Sequence, residues 1–157
     1  KKLQNNVTVE RKRCVQEMER AMQNILFFLT PKCDVVYVYE DANIRQVLEK
    51  IRYHKYTAMP IISRDGKYVG TITEGDLLWK MADENIATFE EAEEIPISDI
   101  SRRVNNHPVN AEAKMENLID LAIRQNFVPV VDDENVFIGI VTRKDIIQYL
   151  YKNYNHN

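Results

Sequence analysis

The chain has 157 residues, 45% of them hydrophobic, which suffices for one compact domain or two small ones sharing a core. Its net charge of -3 excludes a global basic field for nucleic acid or an anionic membrane. No apolar run approaches the roughly 20 residues a membrane helix needs, and the polar first residues lack the apolar core of a signal peptide. The chain does not open with Met, so further sequence upstream is expected. Cys14 and Cys33 form no CxxC and are expected to be free thiols of a reducing cytoplasm.

From Val7 to Phe28 the apolar positions Val15, Met18, Met22, Ile25 and Leu29 recur at threes and fours, the period of an amphipathic helix. Thr30-Pro31 ends it. Val35 to Tyr39 is β-branched and aromatic and predicts a strand. Ile44, Val47, Leu48 and Ile51 predict a helix ending near His54. Met59 to Ser63 and Tyr68 to Thr73 predict two strands joined by the hairpin turn Asp65-Gly66, and a helix follows from Asp76 to about Asp83. Residues 84–100 form an acidic connector whose Glu90, Glu91, Glu93 and Glu94 predict a solvated face. The order then recurs: an extended stretch at 107–110, a helix at 112–125, a strand at 127–131, a turn at Asp132–Asn135, a strand at 136–142 and a helix at 144–153.

The recurrence extends to residues. Gly70-Thr71-Ile72-Thr73-Glu74-Gly75-Asp76 is echoed 69 residues later by Gly139-Ile140-Val141-Thr142-Arg143-Lys144-Asp145. Met59-Pro60-Ile61-Ile62 is echoed at the same interval by Val128-Pro129-Val130-Val131. Gly, Thr, Asp and Pro in register within an apolar frame indicate an internal duplication. The copies differ in the loop before the proline strand, which is Tyr53 to Thr57 in the first and only Gln125-Asn126 in the second. Clefts built on the two copies should therefore differ in shape.

These features resemble a tandem pair of CBS domains, the Bateman module, over about residues 25–153. The resemblance implies an α/β fold of two β-α-β-β-α CBS repeats packed around a pseudo-twofold axis, with the N-terminal amphipathic helix as an addition. The implied division is an extension at 1–24, repeat 1 at 25–83, the connector at 84–100 and repeat 2 at 101–153. It also implies two clefts that take adenine-containing ligands, and pairing into a homodimer. On this resemblance Thr73 and Asp76 serve one cleft, and Thr142 and Asp145 the other. A Thr hydroxyl can donate to phosphate or ribose, a carboxylate can accept both ribose hydroxyls, and the adjacent helix start favours anions. Thr and Asp are equally good N-caps, so the same residues also suit helix capping alone.

Tyr56, Thr57, Ala58 and Pro60 would line one adenine pocket, and Phe127, Val128 and Pro129 the other, shorter one. Core packing is the alternative role of Tyr56 and Phe127. Arg143 and Lys144 would meet phosphate or lie as a solvated pair. The linker after the first helix, where the family places ligand contacts, carries Thr30, Lys32 and Cys33. Basic residues of one repeat can reach the phosphates of a base held by the other, so unequal sites are expected, a tighter one combining Tyr56, Thr57 and Ala58 with nearby basic groups and a weaker or empty one beside the shortened loop. Lys32, Tyr56-Thr57-Ala58, Asn126-Phe127-Val128 and Thr142-Arg143-Lys144 are also similar to small Gram-positive CBS proteins that bind cyclic di-AMP. The chain departs from them in keeping both Asp76 and Asp145, as binders of AMP, ADP or ATP do. His54, His107 and His156 lack metal-ligand spacing, and no catalytic constellation, metal or required cofactor is expected. The expected function is a cytoplasmic regulatory sensor of adenine nucleotides. The alternatives are a cyclic di-AMP receptor acting through a partner protein, or a ligand-free dimerisation module.

Overall fold

The computed structural model describes residues 24–154. The amphipathic helix read from Val7 onward lies outside those residues up to position 23. Its expected end does not hold. Ile25–Phe28 is a single 3-10 turn, started by Asn24, whose side chain accepts the Leu26 N–H at 2.9 Å. A new cap at Asn24 means that no continuous helix runs through to Phe28.

Seven strands follow, β1 (Thr30–Pro31), β2 (Val38–Tyr39), β3 (Ala58–Ile62), β4 (Tyr68–Thr73), β5 (Val109–Asn110), β6 (Phe127–Val131) and β7 (Phe137–Thr142). Among the described residues the α-helices are α1 (Ile44–His54), α2 (Glu74–Asp83), α3 (Phe89–Glu93), α4 (Met115–Arg124) and α5 (Arg143–Tyr154). Each repeat is therefore β-α-β-β-α, as expected: β2-α1-β3-β4-α2, then β5-α4-β6-β7-α5. The strand expected over Val35–Tyr39 pairs only at Val38 and Tyr39, because Lys32–Asp34 closes into a 3-10 turn just before it.

Local chemistry sets the helix starts. Asn43 accepts the Gln46 N–H at 2.9 Å while the Gln46 side chain accepts the Asn43 N–H at 3.1 Å, so each satisfies an orphan donor of α1. Thr88 and Glu91 form the same reciprocal pair at α3. The connector is thus more than a solvated charge run. Its glutamates are exposed, but Ala92, Ile97 and Ile100 are buried in the repeat-1 core beside Ile44, Val47 and Ile51.

The sheets are β2-β3-β4 and β1-β7-β6-β5. Between them lies a third cluster of Ile62, Tyr68, Val131 and Phe137, flanked by Val35, Tyr37, Tyr39 and Ile140. Burying a side chain such as Phe137, 1% exposed, is worth about 1.5–3 kcal/mol. The hairpin tips exchange backbone bonds reciprocally: Phe137 donates to Gly66 at 2.9 Å and Tyr68 donates to Asn135 at 3.1 Å. These positions are related by the 69-residue repeat, so the exchange marks the pseudo-twofold axis.

β1 is the unexpected element. Thr30 and Pro31, ahead of repeat 1, pair antiparallel with Ile140 and Gly139 of repeat 2. A Cβ on Gly139 would lie 2.2 Å from the Thr30 carbonyl oxygen. At the equivalent Gly70 the nearest atom to such a Cβ, at 1.8 Å, is the tip of the Arg102 side chain, which can swing away. Gly139→Ala is therefore expected to cost about 1–3 kcal/mol, as overpacking does, and Gly70→Ala clearly less. Urea denaturation of both variants checks this, and equal losses would contradict the backbone approach at Gly139.

Candidate functional site

Where β1 crosses to the second sheet, the two repeats enclose a cavity of about 310 Å³. From repeat 1 it is lined by Tyr56, Thr57, Ala58 and Pro60, and from repeat 2 by Phe127 and Thr142. Thr30 joins them from the crossing strand. Seven residues singled out in the sequence thus meet in one place, although they span positions 30 to 142. Asp34, Val35, Val36, Asn126 and Ile140 complete the lining. Asp34, Val35, Val36 and Ile140 escape a sequence reading because the crossing of β1 brings them in, and a contact such as Thr30 with Ile140 leaves no periodic trace.

The lining combines apolar side chains with the hydroxyls of Thr30, Thr57 and Thr142. The Tyr56 ring is stacked on the His54 imidazole, with centroids 5.5 Å apart and planes within 9°, which fixes its orientation. The Thr57 carbonyl accepts the Glu74 N–H at 3.0 Å, anchoring this loop to the start of α2. Thr142 begins α5, and its hydroxyl accepts the Asp145 N–H at 3.1 Å while donating to the Asp145 carboxylate. Asp145 is half-buried and faces an adjoining depression of about 400 Å³ lined by Leu29, Thr30, Gln148 and Tyr149. Thr30 borders both spaces, so they are neighbours.

The remaining residues fall elsewhere. Val128 and Pro129 are buried in β6. Cys33 is exposed and unpaired with any other described cysteine. Lys32 turns its ammonium over the Tyr37 ring, 5.5 Å from the centroid. Arg143 donates from Nε to the Gln125 carbonyl at 3.2 Å, and Lys144 is exposed. Neither cavity is lined by a Lys or Arg.

Asp76 stands apart from its counterpart Asp145. It is 2% exposed, and both oxygens are engaged. Oδ2 accepts the Thr73 N–H at 3.0 Å and the Thr73 hydroxyl at 2.7 Å, and Oδ1 accepts the Arg103 N–H at 2.9 Å. In this structure Thr73 and Asp76 cap α2 and tie down the chain entering repeat 2. Close by, Tyr68 donates its hydroxyl proton to the Asn106 carbonyl at 2.7 Å and pairs with the Thr71 hydroxyl at 2.9 Å. Burial pushes the Tyr68 phenol up to about 12. Among the described residues no cluster of His, Cys, Asp and Glu could hold a metal ion, and no helix is long and apolar enough to cross a membrane.

The CBS-domain family model matches residues 28–83 and again 93–152, and the chain belongs to the CBS-domain family as a tandem pair. An uncharacterized protein of Methanocaldococcus jannaschii is 28% identical over 143 residues, covering 73% of this chain and 85% of the relative. The crystal structure of CbpB in complex with c-di-AMP matches with a TM-score of 0.77 at 24% identity, over 92% of this chain and 96% of the other. That of CBSX2 in complex with AMP matches with a TM-score of 0.67 at 21% identity, over 84% and 98% of the two chains. The two-repeat α/β architecture is thereby shared with CBS-pair structures.

The Tyr68 cluster makes a pH-dependent contribution of definite sign. A phenol whose folded pKa lies near 12, above its ordinary value of 10, stabilises the fold fully below pH 10. That stability is lost as the pH rises toward 12, because the unfolded chain ionises first. Tyr68→Phe, which leaves the Thr71 hydroxyl and the Asn106 carbonyl without this partner, is expected to destabilise by about 1–3 kcal/mol. The deficit against the parent should narrow between pH 10 and 12 in denaturation experiments. A constant deficit across that range would contradict the assignment.

Proposed function

We propose that the chain is a regulatory sensor that binds an adenine nucleotide in the cavity between Tyr56 and Thr142 and passes the occupancy to an effector protein. The observation that carries this reading is the convergence of both repeats' motif residues on one cavity of about 310 Å³. Its apolar walls, Val35, Val36 and Ala58 with the oriented Tyr56 ring, suit an adenine face. The Ala58 main chain suits its hydrogen-bonding edge. Asp145, held by Thr142 at the start of α5, suits the ribose hydroxyls, and the helix start with its Thr suits a phosphate. Arg143 and Lys144 lie one and two residues beyond Thr142 and can swing to phosphate from outside the cavity. The AMP in the CBSX2 complex and the c-di-AMP in the CbpB complex support an adenine ligand.

Cyclic di-AMP is the second reading. The adjoining depression of about 400 Å³, reached past Thr30, favours it because it offers room beyond a single nucleotide. In either reading the chain acts by binding and not by catalysis, needs no cofactor, and works in the cytoplasm.

We assign it a homodimeric state. Leu78 and Trp79 on α2, Ile123 on α4, and Ile147, Leu150 and Tyr151 on α5 are all exposed, an apolar surface that a second copy would cover. Sedimentation should give a dimer at micromolar concentration, and a monomer at high micromolar concentration would contradict it.

Asp145→Ala is expected to weaken AMP more than tenfold, since a hydrogen bond to a charged acceptor is worth about 1.5–3 kcal/mol. The AMP-induced rise in melting temperature should shrink accordingly. Replacing Arg143 and Lys144 together by Ala should weaken ATP more than adenosine and reduce the salt dependence of binding. Calorimetric titration checks both. Unchanged AMP affinity in Asp145→Ala would remove the ribose assignment, and equal losses for ATP and adenosine would remove the phosphate one.

A further inference from the structure

The duplication provides a second cleft, between Thr73 and Asp76 of repeat 1 and Phe127 of repeat 2. The chain crossing it differs in chemistry from the one crossing the first. At the open cleft the crossing segment presents Val35 and Val36, and the loop before the proline strand presents Tyr56. At the other, the crossing segment presents Asn106 and His107, and the loop presents Gln125. Three apolar or aromatic residues are thus replaced by three polar ones.

The polar set joins the crossing segment to the loop within repeat 2. Asn106 is 4% exposed and Gln125 7%. Gln125 accepts the His107 N–H through Oε1 at 2.8 Å and donates through Nε2 to the His107 carbonyl at 3.0 Å and the Phe127 carbonyl at 3.3 Å. Asn106 donates from Nδ2 to the same Phe127 carbonyl at 3.1 Å. Phe127 is the counterpart of Ala58, since it faces Thr142 as Ala58 faces Thr73. The Ala58 carbonyl has no such side-chain donor among the described residues. At the far end, Asp76 Oδ1 accepts the Arg103 N–H, a bond with no counterpart at Asp145 among the described residues.

We infer that Asn106 and Gln125 close the Thr73–Asp76 cleft to nucleotides by taking the hydrogen-bonding positions of a purine, so that each chain holds one adenine nucleotide. The inference rests on the nucleotide reading proposed above. A base entering this cleft must break the amide bonds to Phe127 and His107 and return nothing of equal geometry to Gln125.

Calorimetry with AMP on the full chain tests this. The parent should bind one AMP per chain. A variant carrying Asn106→Val and Gln125→Tyr, the residue types of the open cleft, should bind a second. Two AMP per parent chain would overturn the inference alone. No AMP bound by the parent would contradict the nucleotide reading and the inference with it. One AMP per chain in a variant that is folded by circular dichroism would remove the role given to Asn106 and Gln125. Hydrogen exchange on the parent keeps the test independent of that variant's folding. Saturating AMP should protect peptides holding Tyr56–Ala58 and Thr142–Asp145 and leave 101–107 unchanged, and new protection at 101–107 would overturn the inference.

Discussion

The approach of Thr30 to Gly139 is the contact on which the arrangement of the cleft depends. A strand of only two residues has little stability of its own. It forms because Gly139 lacks a Cβ, which lets the Thr30 carbonyl pass where any side chain would collide. That pairing pulls the segment ahead of repeat 1 across to the sheet of repeat 2. Val35 and Val36 then line the cavity with the Tyr56 loop, and Thr30 borders both that cavity and the depression at Asp145. Without the crossing, the two motif copies would face each other with no wall between Tyr56 and Thr142.

The same geometry gives the proposed ligand leverage. The repeats meet in a cluster around Ile62, Tyr68, Val131 and Phe137, in reciprocal backbone bonds at the hairpin tips, and in the Thr30–Ile140, Tyr68–Asn106 and Asp76–Arg103 contacts. A nucleotide touching Ala58 from one repeat and Asp145 from the other adds a bridge that the protein alone does not make. Binding that favours one angle between repeats shifts the population toward it by no more than the difference in affinity for the two angles. The exposed apolar helix faces on α2, α4 and α5 would carry such a shift to a second copy or an effector.

Much of this was legible in the sequence because the duplication preserved what physics requires at each position. Pro60 and Pro129, Gly70 and Gly139, and Thr73 and Thr142 announced the duplication, its strands and its helix starts in register. The strands Phe127–Val131 and Tyr68–Thr73 fell where β-branched and aromatic runs put them. The connector was less legible. Its glutamates dominate the composition, whereas the buried Ala92, Ile97 and Ile100 contribute by tertiary packing alone. β1 was not legible at all, since its partner lies more than a hundred residues away. The difference between Asp76 and Asp145 was hidden for the same reason. The shared Thr-x-x-Asp pair met different crossing chains, and the Arg103 backbone N–H that engages Asp76 has no sequence signature.

The central claim is that an adenine nucleotide lies across the two repeats, with its base at Tyr56–Ala58 and its ribose at Asp145. A crystal structure of the chain grown with AMP tests it most directly. The account places density for one AMP in the cavity beside Thr30, with both ribose hydroxyls within hydrogen-bonding distance of the Asp145 carboxylate. Ordered AMP at the Asp76 end, or an empty cavity at saturating AMP, would contradict it.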